Sequence, residues 1–208
     1  MSSIFSWRTG SLSLLFASFS CGLASGEMFL LPSTFEPSVG ERITVQVHSS
    51  GGRVPQLADS GIYTKQAAYS LVNARKEGHV LVLECGVKAS GISILAAESK
   101  PYLEGNVRHV EFAKAILCAG KADENASMRM GAALEITPAD TPRLGLNRFL
   151  LWLQGQRVPP SMELSNGSWK QQKADGAFEI KVPGKYTLTA SHSAQGVQFS
   201  TSLVFEIR

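Results

Sequence analysis

Four histidines, His48, His79, His109 and His192, are the side chains best suited to hold a transition metal, because a neutral imidazole is a good donor to nickel, cobalt, copper and zinc. Such a site needs three or four converging donors, and no two of these histidines stand as a spaced pair on one strand or helical turn. His48 ends an alternating segment, His79 begins a dense apolar one, and His109 precedes Glu111. His192, in Ser191-His192-Ser193, is the leading candidate ligand, with His48 second. Met128 and Met130 offer two thioethers that suit Cu(I), but without a third donor they read better as gap-filling side chains. Cys85 and Cys118 form one disulfide in an oxidising compartment or are two small buried hydrophobes; spacing alone does not choose between these readings.

Catalytic patterns are missing from the sequence. There is no nucleophile elbow, no His-Glu-x-x-His helix and no dinucleotide glycine pattern, and Gly120-Lys121 is followed by alanine where a phosphate-binding loop needs Ser or Thr. Glu98 and Glu104 flank Lys100-Pro101 and read as solvated loop charges. The expectation is a protein that binds and does not catalyse.

The elements that must position these residues have the period of strands. Arg42-Ile-Thr-Val-Gln-Val-His48 alternates strictly, with Ile43, Val45 and Val47 on one face. His79–Cys85 and Ile92–Ala97 are denser apolar runs separated by the turn signal Ser90-Gly91, as expected of interior sandwich strands. Residues 66–76 fit a short helix by their alanines and a strand by Tyr69, Leu71 and Val72. Farther on, Arg148–Leu153, Met162–Leu164, Ala177–Val182, Lys185–Ala190 and Phe199–Ile207 read as short strands. Asp175-Gly176 reads as a hairpin turn, and Pro183-Gly184 as the next turn. Regular short strands with such punctuation predict an all-β chain of two Ig-like β-sandwich lobes.

Charge and location narrow the partners. Lys plus Arg number 20 against 17 for Asp plus Glu, without a basic run, which argues against nucleic acid. Arg8 is the lone charge in residues 1–26 and precedes the apolar run Ser11–Ser20, the pattern of a secretory signal peptide cleaved before Glu27. The run is too short for a spanning helix, so no transmembrane span is expected after cleavage. The expected location is periplasmic or secreted, with lipid anchoring through Cys21 the lesser alternative. The expected organisation is a signal peptide at 1–26, a β-sandwich domain at 27–120, a polar linker or loop at 121–131, and an Ig-like domain at 132–208.

The order of several segments resembles an exported bacterial family of unknown function, commonly labelled as periplasmic components of cobalt or nickel transport. The resemblance is carried by Phe29-Leu-Leu-Pro32 with Val39-Gly40-Glu41, by Glu111–Leu117, by Leu134-Glu-Ile-Thr-Pro138, and by Asp175-Gly176, Pro183–Tyr186 and Ser202–Glu206. It implies an accessory role in nickel or cobalt uptake alongside envelope transport proteins, with His192 at a position the family often fills with histidine. The family's metal role also depends on a histidine just before the aromatic and proline positions, where this chain has Glu27-Met28. The alternative expectation is a structural or adhesive module of the cell envelope.

Overall fold

A computed structural model describes residues 27–49, 52–63, 68–70, 73–120 and 126–208. The first half contains β1 (Met28–Pro32), β2 (Arg42–Ser49), β3 (Leu57–Tyr63), β4 (Ala68–Ser70), β5 (Asn73–Glu77), β6 (Val80–Gly86), β7 (Gly91–Ser99), β8 (Tyr102–Glu104) and β9 (Val107–Ala119). The second contains β10 (Leu134–Pro138), β11 (Gly145–Leu153), β12 (Gln156–Val158), β13 (Met162–Ser165), β14 (Lys170–Lys173), β15 (Ala177–Ile180), β16 (Gly184–Ala194) and β17 (Val197–Ile207). The described residues are all-β, and none of them forms a helix long and apolar enough to cross a membrane. The segment open to either reading is β4 and β5; residues 64–67 and 71–72, like segment 1–26 where a signal peptide is expected, lie outside the described residues.

Each half has the strand order of an immunoglobulin sandwich. In the first, β1-β2-β6-β5 matches the A-B-E-D sheet and β4-β3-β7-β9 the C′-C-F-G sheet. In the second, β10-β11-β15 is A-B-E and β14-β13-β16-β17 is C′-C-F-G. The Tyr186 hydroxyl, near the start of the second F strand, donates to the Val182 carbonyl four residues upstream, which is the corner contact typical of such sandwiches.

The two lobes share a sheet. The last strands of both, β9 and β17, pair in parallel from Val197↔Arg108 to Val204↔Ala115, so the two C′-C-F-G sheets fuse into one nine-stranded sheet that also carries β8. Its two faces are covered by different small sheets. Ala113, Ala115 and Leu117 of β9 face a core with Leu30, Val45 and Leu83, which Val204 of β17 also enters. Ile92, Ile94 and Ile116 face the opposite core with Ile136, Phe149, Phe178 and Phe205. The result is three layers, and it explains why β7, β9 and β17 are buried on both faces while β2 alternates between buried and exposed: only strands covered twice lose their solvated side.

One of the turn signals acts differently from its sequence reading. Asp175-Gly176 does form a local turn, with Asp175 Oδ1 accepting from the Ala177 amide at 3.0 Å and Gly176 at φ +67. Yet β14 pairs with β13 and β15 with β11, so this is a crossover between sheets and not the hairpin expected. Ser90-Gly91 likewise carries the chain from β6 in one sheet to β7 in another, and Pro183-Gly184 from β15 to β16. Period-two patterns show which residues share a face of a strand; they carry no information on the strand's partner.

The segment expected as a polar linker is built into the core where it is described. Ala126 is fully buried, and Met128 and Met130 pack against the second lobe's apolar cluster.

Candidate functional site

Side chains with chemical capacity gather where the nine-stranded sheet is polar. On the face that carries the first lobe's core, β16 and β17 present Thr189, Ser200 and Ser202, and β9 continues this row with Glu111 and His109. Ser202 Oγ donates to the Met28 carbonyl at 2.6 Å, which pins the start of β1 across the seam. Glu27, just before β1, is buried with Thr189, Glu163, Lys170 and Glu111 around it. Burial first, and repulsion from Glu163 second, raise its carboxyl pKa to about 7. Glu163 is itself paired with Lys170 at 2.8 Å.

Glu111 is the hub of the adjoining cluster. Its side chain is buried, its Oε1 accepts from the Tyr102 hydroxyl at 2.7 Å, and Arg53 Nη2 lies 3.2 Å from the same oxygen. Its Oε2 has no hydrogen-bond partner among the described residues. Tyr102 lies between two partners, with the Arg53 guanidinium over its ring and the His109 imidazole stacked at 5.1 Å. Burial, then its bond to Glu111, pushes the Tyr102 hydroxyl well above its usual pKa, so it serves as a hydrogen-bond donor and not as a nucleophile. His109 Nε2 stands 3.9 Å from Glu104. The loop carrying Arg53 and the residues before β8 enclose a cavity of about 240 Å³ lined by Arg53, Gln56, Ser99, Lys100 and Tyr102 among others.

The topology then fixes what lies around this cluster. Because β9 and β17 run parallel, the β8–β9 hairpin and the β16–β17 hairpin, the F–G connections of the two lobes, emerge at the same end of the sheet. Leu103, at 73% exposure, and Val107, at 44%, stand on the first of these hairpins, Val107 on the face of the Arg53, Tyr102 and His109 stack and Leu103 on the other.

The second buried charge centre is structural. Lys114, on the opposite face of β9, lies 2.8 Å from Glu135 Oε1 of β10 and donates also to the carbonyls of Met128 and Ile136. Glu135 accepts in turn from the amides of Met130 and Gly131 at 2.7 and 3.0 Å. Burial lowers the Lys114 pKa, opposed by Glu135. Met128 and Met130 thus contribute their backbones to this network and their side chains to packing.

The candidates named from sequence are dispersed. His48 stacks on Phe29 at 5.0 Å and hydrogen-bonds Gln46 at 3.0 Å, and burial lowers its pKa. His192 lies in β16 opposite Phe199, half-buried. Among the described residues no group of three or more His, Cys, Asp or Glu side chains is placed to hold a metal ion. Cys85 and Cys118 are free thiols; the disulfide offered as one of two readings is not formed. Cys85 belongs to the first lobe's core while Cys118 packs against the second's, so the shared sheet separates them. Burial pushes the Cys85 thiol up to about 11. Glu98, on β7, has its pKa raised by burial and by Asp59.

Arg53, Tyr102, Glu27 and Glu163 escape sequence reasoning because they come from separate segments joined by register alone. Lys114 has a sequence signal that could have found it, a cation inside the apolar run Glu111–Leu117.

No protein-family model matches the chain, and no curated protein is similar to it. Among solved structures, it is similar to the mouse nectin-like molecule 4 ectodomain (Ig1–Ig3) at 12% identity and a TM-score of 0.25, covering 88% of this chain and 65% of that one. It therefore spans less than two thirds of that ectodomain. Titin domains Z1Z2 in complex with telethonin match at 15% identity and a TM-score of 0.22, over 86% of this chain and 96% of that one. A chimeric titin Z1Z2 carrying a decorin peptide matches at 11% and 0.25, over 89% and 99%. Such low TM-scores carry no argument, and the Ig-like assignment rests on the strand order and the Tyr186 corner.

Proposed function

We propose that this chain is an exported binding module that engages another protein of the cell envelope through the end where its two F–G hairpins meet. The observation that carries this reading is the parallel β9–β17 ladder, which sets both hairpins side by side on a rigid double-covered sheet. A large exposed leucine on a hairpin braced by Arg53, Tyr102 and a buried carboxylate is the kind of preorganised apolar anchor that interfaces use. The apolar run at 11–20 supports export.

The test is a photo-activatable amino acid placed at Leu103 and, as a control, at Leu146, which is 62% exposed at the start of β11. Irradiation of intact cells is expected to give one discrete adduct from position 103 and none from 146. Adducts from neither, or the same adducts from both, sink the reading. Nickel and cobalt titration by native mass spectrometry is the parallel arm. Stoichiometric metal lost on His192→Ala would replace this reading with the uptake role implied by the family resemblance.

A further inference from the structure

At the end of the molecule opposite the F–G hairpins, a cavity of about 200 Å³ opens at the margin of the second lobe's core. Its apolar wall is Ile92, Ile116, Phe205 and Ile207, with the half-buried thiol of Cys118 at one side. Two arginines line it, and they differ. Arg208 is already paired with Glu36 and Glu206. Arg143 is exposed and has no ion-pair partner among the described residues.

The backbone of Arg143 is held by an unusual device. Asn147, at 8% exposure on β11, accepts from the Arg143 amide at 2.9 Å and donates to the carbonyls of Arg143 and Gly145 at 2.7 and 2.9 Å. A buried amide that spends two of its three hydrogen bonds on the backbone of one loop residue fixes where that backbone stands. A second cavity of about 220 Å³, on the side of Asp140 and Leu146, is also lined by Arg143, so the arginine stands between two openings.

We infer that this slot binds a small amphiphilic monocarboxylate, its apolar tail against Ile92, Ile116 and Phe205 and its carboxylate on Arg143. An unpaired guanidinium at the rim of an apolar slot selects an anionic head, since a fork of N–H donors matches a carboxylate. The volume is below the roughly 300 Å³ at which drug-sized sites begin, which selects a short chain. The site is independent of the F–G end and of the partner proposed for it.

Cys118 supplies the readout. Octanoate is the probe, and modification of Cys118 in the full chain by a small maleimide is followed on its own peptide by mass spectrometry, with buried Cys85 as internal reference. Millimolar octanoate is expected to slow Cys118 labelling in a saturable manner. Each methylene added from butyrate to octanoate should tighten protection about fourfold until the slot is full. Arg143→Gln, an exposed substitution that leaves the Asn147 bonds to the backbone intact, should label at the unliganded rate and weaken octanoate protection about tenfold. Octylamine should protect poorly. Protection that is unchanged in Arg143→Gln, equal protection by octylamine, or none by octanoate overturns the proposal. So does protection by anionic lipid vesicles in the absence of any effect of octanoate.

Discussion

Individual side chains here are governed by what burial does to charge. Glu27 prefers its protonated form in the fold, with a pKa of about 7 against an ordinary 4.5, so the folded state binds more protons than the unfolded one between those values. Stability is therefore greatest on the acid side and falls as pH rises from about 4.5 to about 7, by up to about 3 kcal/mol. Thermal unfolding across that window should show the slope in the native chain and lose it in Glu27→Gln. The Lys114 and Glu135 pair has the opposite logic, for both charges are buried and every donor is met. Lys114→Met leaves a buried carboxylate without its cation and is expected to cost about 3–5 kcal/mol in urea unfolding. Lys114→Met combined with Glu135→Gln should cost less than the sum of the single changes, because no charge is then stranded.

At the scale of elements, the turn between β14 and β15 is where chain direction and backbone geometry are most tightly bound together. Gly176 has φ +67, its carbonyl accepts from the Phe149 amide at 2.8 Å, and a Cβ there would run into the Phe149 carbonyl oxygen. Gly176→Ala should therefore destabilise the chain by about 2 kcal/mol or more, against about 1 kcal/mol for Gly78→Ser, where a side chain meets open space and only the φ is strained. Circular dichroism melts of the two variants compare them directly. Strand existence was legible in sequence: Arg42–His48 alternates because one face is solvated, and Phe199–Ile207 alternates although it is covered twice, with Phe199, Leu203 and Phe205 in the second lobe's core and Ser200 and Ser202 on the polar row of the other face. Strand partnership was not legible. Asp175-Gly176 has the residues of a hairpin turn, and only the burial of Phe178 and Ile180 under the second lobe takes β15 to β11 instead of back to β14. The site suffered the same limit, since Arg53, Tyr102 and Glu111 meet through loop placement and register, with no local spacing to announce them.

For the whole molecule, the shared sheet makes each lobe a boundary condition of the other. Chain segments 27–120 and 132–208 expressed separately would bare Ile94 and Ile116 on one side and Val204 on the other. Neither is expected to give a soluble folded product, whereas the intact chain should unfold in one transition, with the same urea midpoint by tryptophan fluorescence and by far-ultraviolet dichroism. Two separate transitions would show that the lobes are energetically independent despite the ladder between them. The parallel ladder of β9 with β17 also sets the symmetry of the molecule. Reading outward from that ladder, the strand order is the same in both directions, G-F-C-C′, which is the relation of two subunits about a dyad. The chain is in effect a closed dimer of Ig-like units joined end to start, whose self-complementary edge is consumed within one molecule; a contact of this kind closes on itself and cannot propagate into a fibre.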